Sequence, residues 1–452
     1  MRADLVPDAA QIYSWIREVF DHGIRRPGYP ADRWAEDWAQ AHFSRFGLTA
    51  VRAEPVEMPY WEPRAASLVV TDAGDPARTM DVPCSALPFS SPTAGIEGEL
   101  CRFDEAVPER VRDRASFCDV RLGHLPHRSM AKLATWSYDP DHTFTGVAQR
   151  LPFGRGAQDV MEPSIEAGAL AFIGALTDYP GDSHEYYVPY DGRSRPIPGV
   201  WVSGSDGARI HALLSHGPAR ASIRVDALRD TFTSFNVVGE LAGADDETVI
   251  IGSHHDGPWA SAVEDASGIA LVLAQAMYWS RVPDAERPHR LVFLLNGGHM
   301  AGGAGQAAFV RMHRAELDSC VLELHLEHAA NEFLELDGGL RATGQPEVRW
   351  WFTSRLARLE DTVRSAIEAE DLRRSYIVPP TLFGEKPTTD GADFHLAGVP
   401  LVQFLAAPFY LFDAMDTLDK VHRPSLEPLT RAAIRIIEST KDVSAHAMRG
   451  SR

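Results

Sequence analysis

Apolar positions at the start of the chain recur at helical intervals. In "DAAQIYSWIREVFDHG", Ile12, Trp15, Ile16, Val19 and Phe20 share a face, and Gly23 stands where a helix can end. "PADRWAEDWAQAHFSRFGL" repeats the spacing with Trp34, Trp38, Phe43 and Phe46, and "TAVRAEPVEMPYW" then alternates as a strand does. From about Ala65 to Ala227 the texture changes to short β-type runs broken by Pro, Gly and Asp. From "SFNVVGELAG" onward, strand and helix patterns alternate. "NVVGEL", "TVIIGSH", "RLVFLLN", "CVLELHLEH" and "VPLVQFLA" read as strands. Ser267 to Arg281, "GQAAFVRMHRAEL", "LARLEDTVRSAIEAEDL" and "PSLEPLTRAAIRIIESTKDV" read as helices. Alternation of this kind predicts an α/β sandwich, whose chemistry gathers where strands end.

A length of 452 residues exceeds one ordinary core, so a second domain or a large insertion is expected. The expected division is an amino-terminal part of the catalytic domain (1–64), a β-rich insertion (65–227) and the main catalytic part (228–452). A formal net charge of -19 argues against nucleic acid or an acidic membrane as a general partner and favours a soluble protein, without excluding an anionic substrate. The first twenty residues lack an apolar run with a cleavage site, and no stretch approaches the roughly 18 apolar residues of a membrane span. Cys84, Cys101, Cys118 and Cys320 are scattered without metal-type spacing, which fits reduced thiols and a cytoplasmic location.

Chemistry concentrates after Val249. His254 and Asp256 lie two apart at a strand end and share a side, so the acid can hold the ring while its other nitrogen meets a metal. His255 points the other way. "EDASG" then places Glu264 and Asp265 at a helix start, a position acids also favour for dipole reasons alone. "HHD", "EDASG", "GGHMAGGAG", "LHLEH", "TDGADFHLAGVP" and "FYLFDAMDTLDKV" follow in that order.

In that order and spacing, the segment Ser234 to Val443 resembles the zinc aminopeptidase family, whose relatives include glutaminyl cyclase and glutamate carboxypeptidase. The resemblance implies a three-layer α/β sandwich around a mixed sheet, and the stretch 65–227 is similar to the protease-associated insertion of some members. It implies metal ligands at His254, Asp265 and Glu327, with Asp256 behind the histidine. The family's second-metal glutamate falls on Met300 and its final histidine on Phe412, neither a ligand for a hard cation. One divalent ion (zinc, manganese, iron or cobalt) is therefore expected. The general-base glutamate falls on His299, whose ordinary pKa near ~6.5 suits proton transfer.

Loss of the second ion removes the usual anchor for a peptide's amino terminus and leaves Met300 and Phe412 as an apolar wall. The expected reaction is hydrolysis of a C–N bond in a small molecule. A relative outside peptide chemistry, the aminohydrolase that turns 5-nitroanthranilate into 5-nitrosalicylate and ammonia, implies deamination of an aromatic amine. Arg373, Arg374 or Lys386 would then hold the substrate's anion. The alternatives are an aminopeptidase or amidohydrolase of the same family, with a second metal held by His255 or His328, and an inactive binding protein; Glu264 and His325 stay open as further ligands. The insertion and the relatives also imply a homo-oligomer.

Overall fold

The computed structural model describes residues 1–144, 148–154, 161–387 and 389–450. Two helices, α1 (Ala9–Asp21) and α2 (Pro30–Phe46), open the chain where the helical spacing predicts them. Asp8 caps α1 by accepting from the Gln11 N–H, and Gly47 ends α2 in the left-handed conformation that glycine adopts without strain. A long strand, β1 (Thr49–Asp72), then carries the chain away from the catalytic part.

The segment beyond carries many short strands with a few helices between them. Strands β2 (Thr93–Arg102), β3 (Ala115–Val120), β4 (Ala171–Leu176) and β5 (Gly199–Ser203) pair in parallel, and α3 (Gly204–His216) follows β5 directly. Parallel pairing needs crossovers, which the intervening turns and short helices provide. The chain returns on β6 (Ala219–Leu241), antiparallel to β1 along nearly its whole length, with a register irregularity between Pro63 and Ala65. The first part of β6 pairs with β2 and its last part with a catalytic strand, so one sheet runs through both regions.

The catalytic strands are β7 (Thr248–His254), β8 (Arg290–Asn296), β9 (Cys320–Leu326), β10 (Arg349–Thr353), β11 (Ser375–Val378) and β12 (Leu401–Ala406). Their order in the sheet is β6-β8-β7-β9-β12-β10-β11. β8, β7, β9 and β12 run parallel, while β6 opposes β8 and β10 opposes β12 but runs parallel to β11, so the sheet is mixed. Residues Trp136–Tyr138, from inside the insertion, add an antiparallel edge to β11.

Both faces are covered. Val237, Val249, Ile251, Phe293 and Leu295 join the larger core, while Val238, Ile250, Val292 and Leu294 join Phe309 and Phe394 on the opposite face. That split between adjacent residues is the two-residue period of a strand buried on both sides. Helix α4 (Gly268–Ser280) is buried nearly all round, as its unbroken apolar composition requires, and packs with α1, α2 and α5 (Arg423–Glu438). The result is the three-layer α/β sandwich. No helix among the described residues is long and apolar enough to cross a membrane.

Candidate metal centre

The parallel strands β7, β8 and β9 end side by side, and the histidine–acid cluster lies beyond their carboxyl ends. His254 closes β7. Its Nδ1 lies 2.9 Å from the Asp256 carbonyl oxygen, which can only accept, so Nδ1 donates and Nε2 keeps its lone pair. The Asp256 carboxylate, expected to hold this ring, stands 3.7 Å from Nδ1 and instead accepts the backbone N–H groups of His299 (3.0 Å) and Met300 (2.7 Å). Asp256 thus fixes the turn after β8 that presents His299.

The acidic pair is offset by one residue from the expectation. Asp265 stands further back, 3.9 Å from His254 Nε2, where Oδ2 accepts the Ser253 hydroxyl and Oδ1 accepts the Gly268 N–H at 2.9 Å. A Cβ on Gly268 would meet Asp265 Oδ2 at 2.1 Å, so only glycine fits this approach. Glu264 is the carboxylate that faces inward. Its Oε1 lies 3.4 Å from His254 Nε2 and 3.6 Å from His299 Nε2, and its Oε2 lies 2.5 Å from His328 Nε2. Asp416, from "MDTLDKV", anchors this turn by accepting the Val263 and Glu264 N–H groups. Arg25, fully buried, donates to the carbonyls of His255, Ala260, Ser261 and Glu264. That clamp ties the amino-terminal segment to the turn carrying Glu264.

His299 lies over His254 with ring centroids 4.2 Å apart. Its Nδ1 is 2.6 Å from Asp390 Oδ1, which leaves Nε2 directed at Glu264. Burial lowers the His299 pKa, but Asp390 outweighs it and the net shift is upward. Burial likewise raises Asp390, and His299 and His325 outweigh it, holding its carboxyl well below the usual range. Glu327, just past β9, completes the group. His254, Glu264 and His299 offer ligand atoms mutually within 4.8 Å, and so do His254, Glu327 and Asp390.

These atoms crowd one another and have no other partners. His254 Nε2, both Glu264 oxygens, Glu327 Oε1, His325 Nε2 and His328 Nε2 are buried without a hydrogen bond. Buried polar atoms are normally satisfied, and a convergent set of orphans calls for a cation. Nitrogen and carboxylate donors together suit a borderline or hard divalent ion. The donor set fits.

Above the donors opens a cavity of about 240 Å³. Glu264, His299, Glu327, His328 and Asp390 form its polar end, and Phe153, Tyr190, Trp350, Phe352, Phe383 and Phe412 line much of the rest. Phe412 takes the expected wall position, its ring 4.7 Å from that of Tyr190. Met300 does not. It is fully buried in the main core and absent from the cavity wall. Arg373 is also displaced from its expected role. It lies on the surface, paired with Asp141 (2.6 Å) and Asp371 (2.9 Å). Arg374 is held by Glu332 and the Pro346 carbonyl, and Lys386 reaches Asp393. Among the described residues, no arginine or lysine lines the cavity.

Sequence reasoning missed Asp390 as a site residue and placed Asp265 where Glu264 stands. "TDG" was a visible signal for Asp390, since an acid there follows a helix-breaking turn before the last strand. His255 is no donor, because both ring nitrogens are bonded, to Asp32 (2.8 Å) and to the Phe235 carbonyl (2.9 Å).

Known proteins share this arrangement of chain. The structure of a Peptidase M28 precursor from Shewanella amazonensis superimposes with a TM-score of 0.69 at 21% identity, over 98% of this chain and 94% of that one. BSAP, a zinc aminopeptidase from Bacillus subtilis, gives 0.66 at 16% identity over 98% of both chains. An aminopeptidase from Aneurinibacillus sp. strain AM-1 gives 0.64 at 18%, over 97% and 94%. Such identities establish the fold alone. Leucine aminopeptidase 2 from Arthroderma otae is 31% identical over 105 residues, which are 23% of this chain and 21% of that enzyme's length. Residues 236–437 match the family described as Peptidase family M28, and they carry every cluster residue from His254 to Asp416. That region is thus similar to Peptidase family M28, in keeping with the zinc aminopeptidase family its motifs resemble.

Proposed function

We propose that the chain is a metal-dependent hydrolase of amide C–N bonds, aminopeptidase-like in fold, that acts on a substrate presenting an apolar or aromatic group. The observation that carries this reading is the convergence of unpartnered buried donors at the polar end of an aromatic-lined cavity. A bound divalent cation supplies polarisation of the scissile carbonyl and a more acidic water. His254, Glu264, Glu327 and Asp390 are the residues that would hold it, with His299 within reach.

One ion is favoured over two. Both donor groups pass through His254, whose Nδ1 is committed to the Asp256 carbonyl, so its single free nitrogen serves a single ion. His299 is oriented by Asp390 with Nε2 on the cavity. It takes a proton from the attacking water and delivers it to the departing nitrogen, a role in which a positioned histidine contributes about 10²–10⁴-fold. Tyr190 stacks on this ring with Phe412 packed against Tyr190, which limits bulk water on that side. Deamination of 5-nitroanthranilate fits less well. The anionic substrate needs a cation to receive charge pushed into its ring, and the described cavity wall offers no arginine or lysine.

The deciding experiment loads the protein with zinc, manganese, iron or cobalt and screens aminoacyl anilides, N-acyl amino acids and aminobenzoates. Release of aniline or free amine from apolar substrates is expected. Ammonia from aminobenzoates, with no amide turnover, would replace this reading by the aromatic aminohydrolase.

A further inference from the structure

Glu323 is a carboxylate fully buried in the middle of a sheet, and the mechanism above does not use it. Strand β9 alternates strictly here. Leu322, Leu324 and Leu326 enter the main core, whereas Glu323, His325 and Glu327 stand on the other face. The register places Glu323 between Ile250 and Leu401, and His325 between Gly252 and Gln403. A polar column thus climbs through an apolar layer toward the donor cluster.

The column starts with a hydrogen bond and continues through close polar contacts. Glu323 Oε1 accepts from His325 Nδ1 at 2.8 Å, which turns Nε2 toward Glu327 Oε1 (3.3 Å) and Asp390 Oδ2 (3.7 Å). Gln403 donates to Glu327 Oε2 (3.2 Å) and accepts the Gly391 N–H (2.7 Å), tying the same carboxylate to the turn that carries Asp390. Room for the pair comes from Gly252, whose added Cβ would meet His325 Nδ1 at 3.0 Å and Glu323 Oε1 at 3.1 Å. The Glu323 Oε2 atom has no hydrogen bond. A buried ion pair with an unsatisfied oxygen is a poor source of stability, and an apolar pair of similar volume usually serves better.

We propose that Glu323 is a positioning residue: acting through His325, it holds the Glu327 and Asp390 carboxylates in the geometry that receives the cation. This rests on the reading of the cluster as a metal centre. Partners of this kind, behind the ligands, set metal affinity by orienting them, typically by about 10–100-fold.

The test uses the full chain stripped of metal, with zinc affinity measured by competition against a chromophoric chelator and melting temperature measured on the metal-free form. Glu323→Leu should weaken zinc binding by about 10–100-fold, and the isosteric Glu323→Gln, which keeps an acceptor but loses the charge, by about tenfold. If the leucine variant does not fold, Glu323→Gln decides alone. A merely structural residue would lower the metal-free melting temperature and leave zinc affinity of the folded chain unmoved. Affinity within about threefold of wild type in folded Glu323→Gln therefore overturns the proposal. A wild-type chain that takes up no zinc overturns the metal-centre reading itself, a different result from wild-type uptake matched by the variants.

Discussion

His254 and His255 are neighbours on one strand end, and each sits among carboxylates in a fully buried pocket. His255 meets Asp32 and the Phe235 carbonyl, Asp32 also accepts the Gly28 N–H, and Glu36 accepts from Ser234 and Phe235. Every bond of that cluster closes within the protein. His254 spends one nitrogen on the Asp256 carbonyl, and its other nitrogen faces Glu264, both of whose oxygens lack a hydrogen bond. The two clusters have nearly the same composition. Unfilled bonding capacity, rather than residue type, separates a brace from a binding site.

The largest expected effect comes from exchanging the two histidines' fates. His254→Ala should abolish metal uptake and turnover while the metal-free protein still folds, as zinc competition and thermal melting would show. His255→Ala should instead destabilise the fold by about 3–5 kcal/mol, because Asp32 is left buried and unpaired. Denaturant unfolding checks this, and a His255→Ala chain as stable as wild type would erase the distinction.

Next in size is His299→Ala, for which turnover should fall about 10²–10⁴-fold if the residue carries protons. Zinc affinity in that variant should fall less than in His254→Ala. An unchanged rate constant would move proton transfer to another group.

A subtler contrast lies in pH. Burial lowers the His255 pKa, but Asp32, Glu36 and Asp256 outweigh it and push it up to about 9. Its folded value thus exceeds the ordinary ~6.5, so the pair's stabilisation is fully present below that value and is lost as pH rises through 9. Melting temperature should decline over that alkaline window in wild type, and the decline should shrink in His255→Gln. Smallest of all is Arg373→Ala. With its side chain tied to Asp141 and Asp371 outside the cavity, kcat/KM should stay within about twofold of wild type, the ordinary scatter for a surface change.

Much of this contrast was legible in the sequence, and the losses have physical causes. A period of two puts His254 and His255 on opposite sides of a strand, and a buried strand ending in "LHLEH" delivers Glu327 to the same edge. The choice between Glu264 and Asp265 was not legible, since adjacent acids differ only in how the turn after residue 261 rotates them, and Asp416 and Arg25 set that turn from far away in the chain. Asp390 reaches the site from a loop over sixty residues past Glu327, beyond any local period. Within the insertion, the apolar stretch "IPGVWVSGSDGARIHALLSHG" is a parallel strand feeding a helix, an order that its hydrophobicity alone leaves open. Arg373 and Arg374 look alike in sequence, yet one is exposed and the other buried.

The most direct measurement is the metal content of the purified chain after dialysis against zinc, for wild type, His254→Ala and His255→Gln in parallel. One tightly held ion per chain in wild type and in folded His255→Gln, and none in His254→Ala, is the predicted result. A folded wild type that holds no ion, or a His254→Ala chain that keeps one, contradicts it.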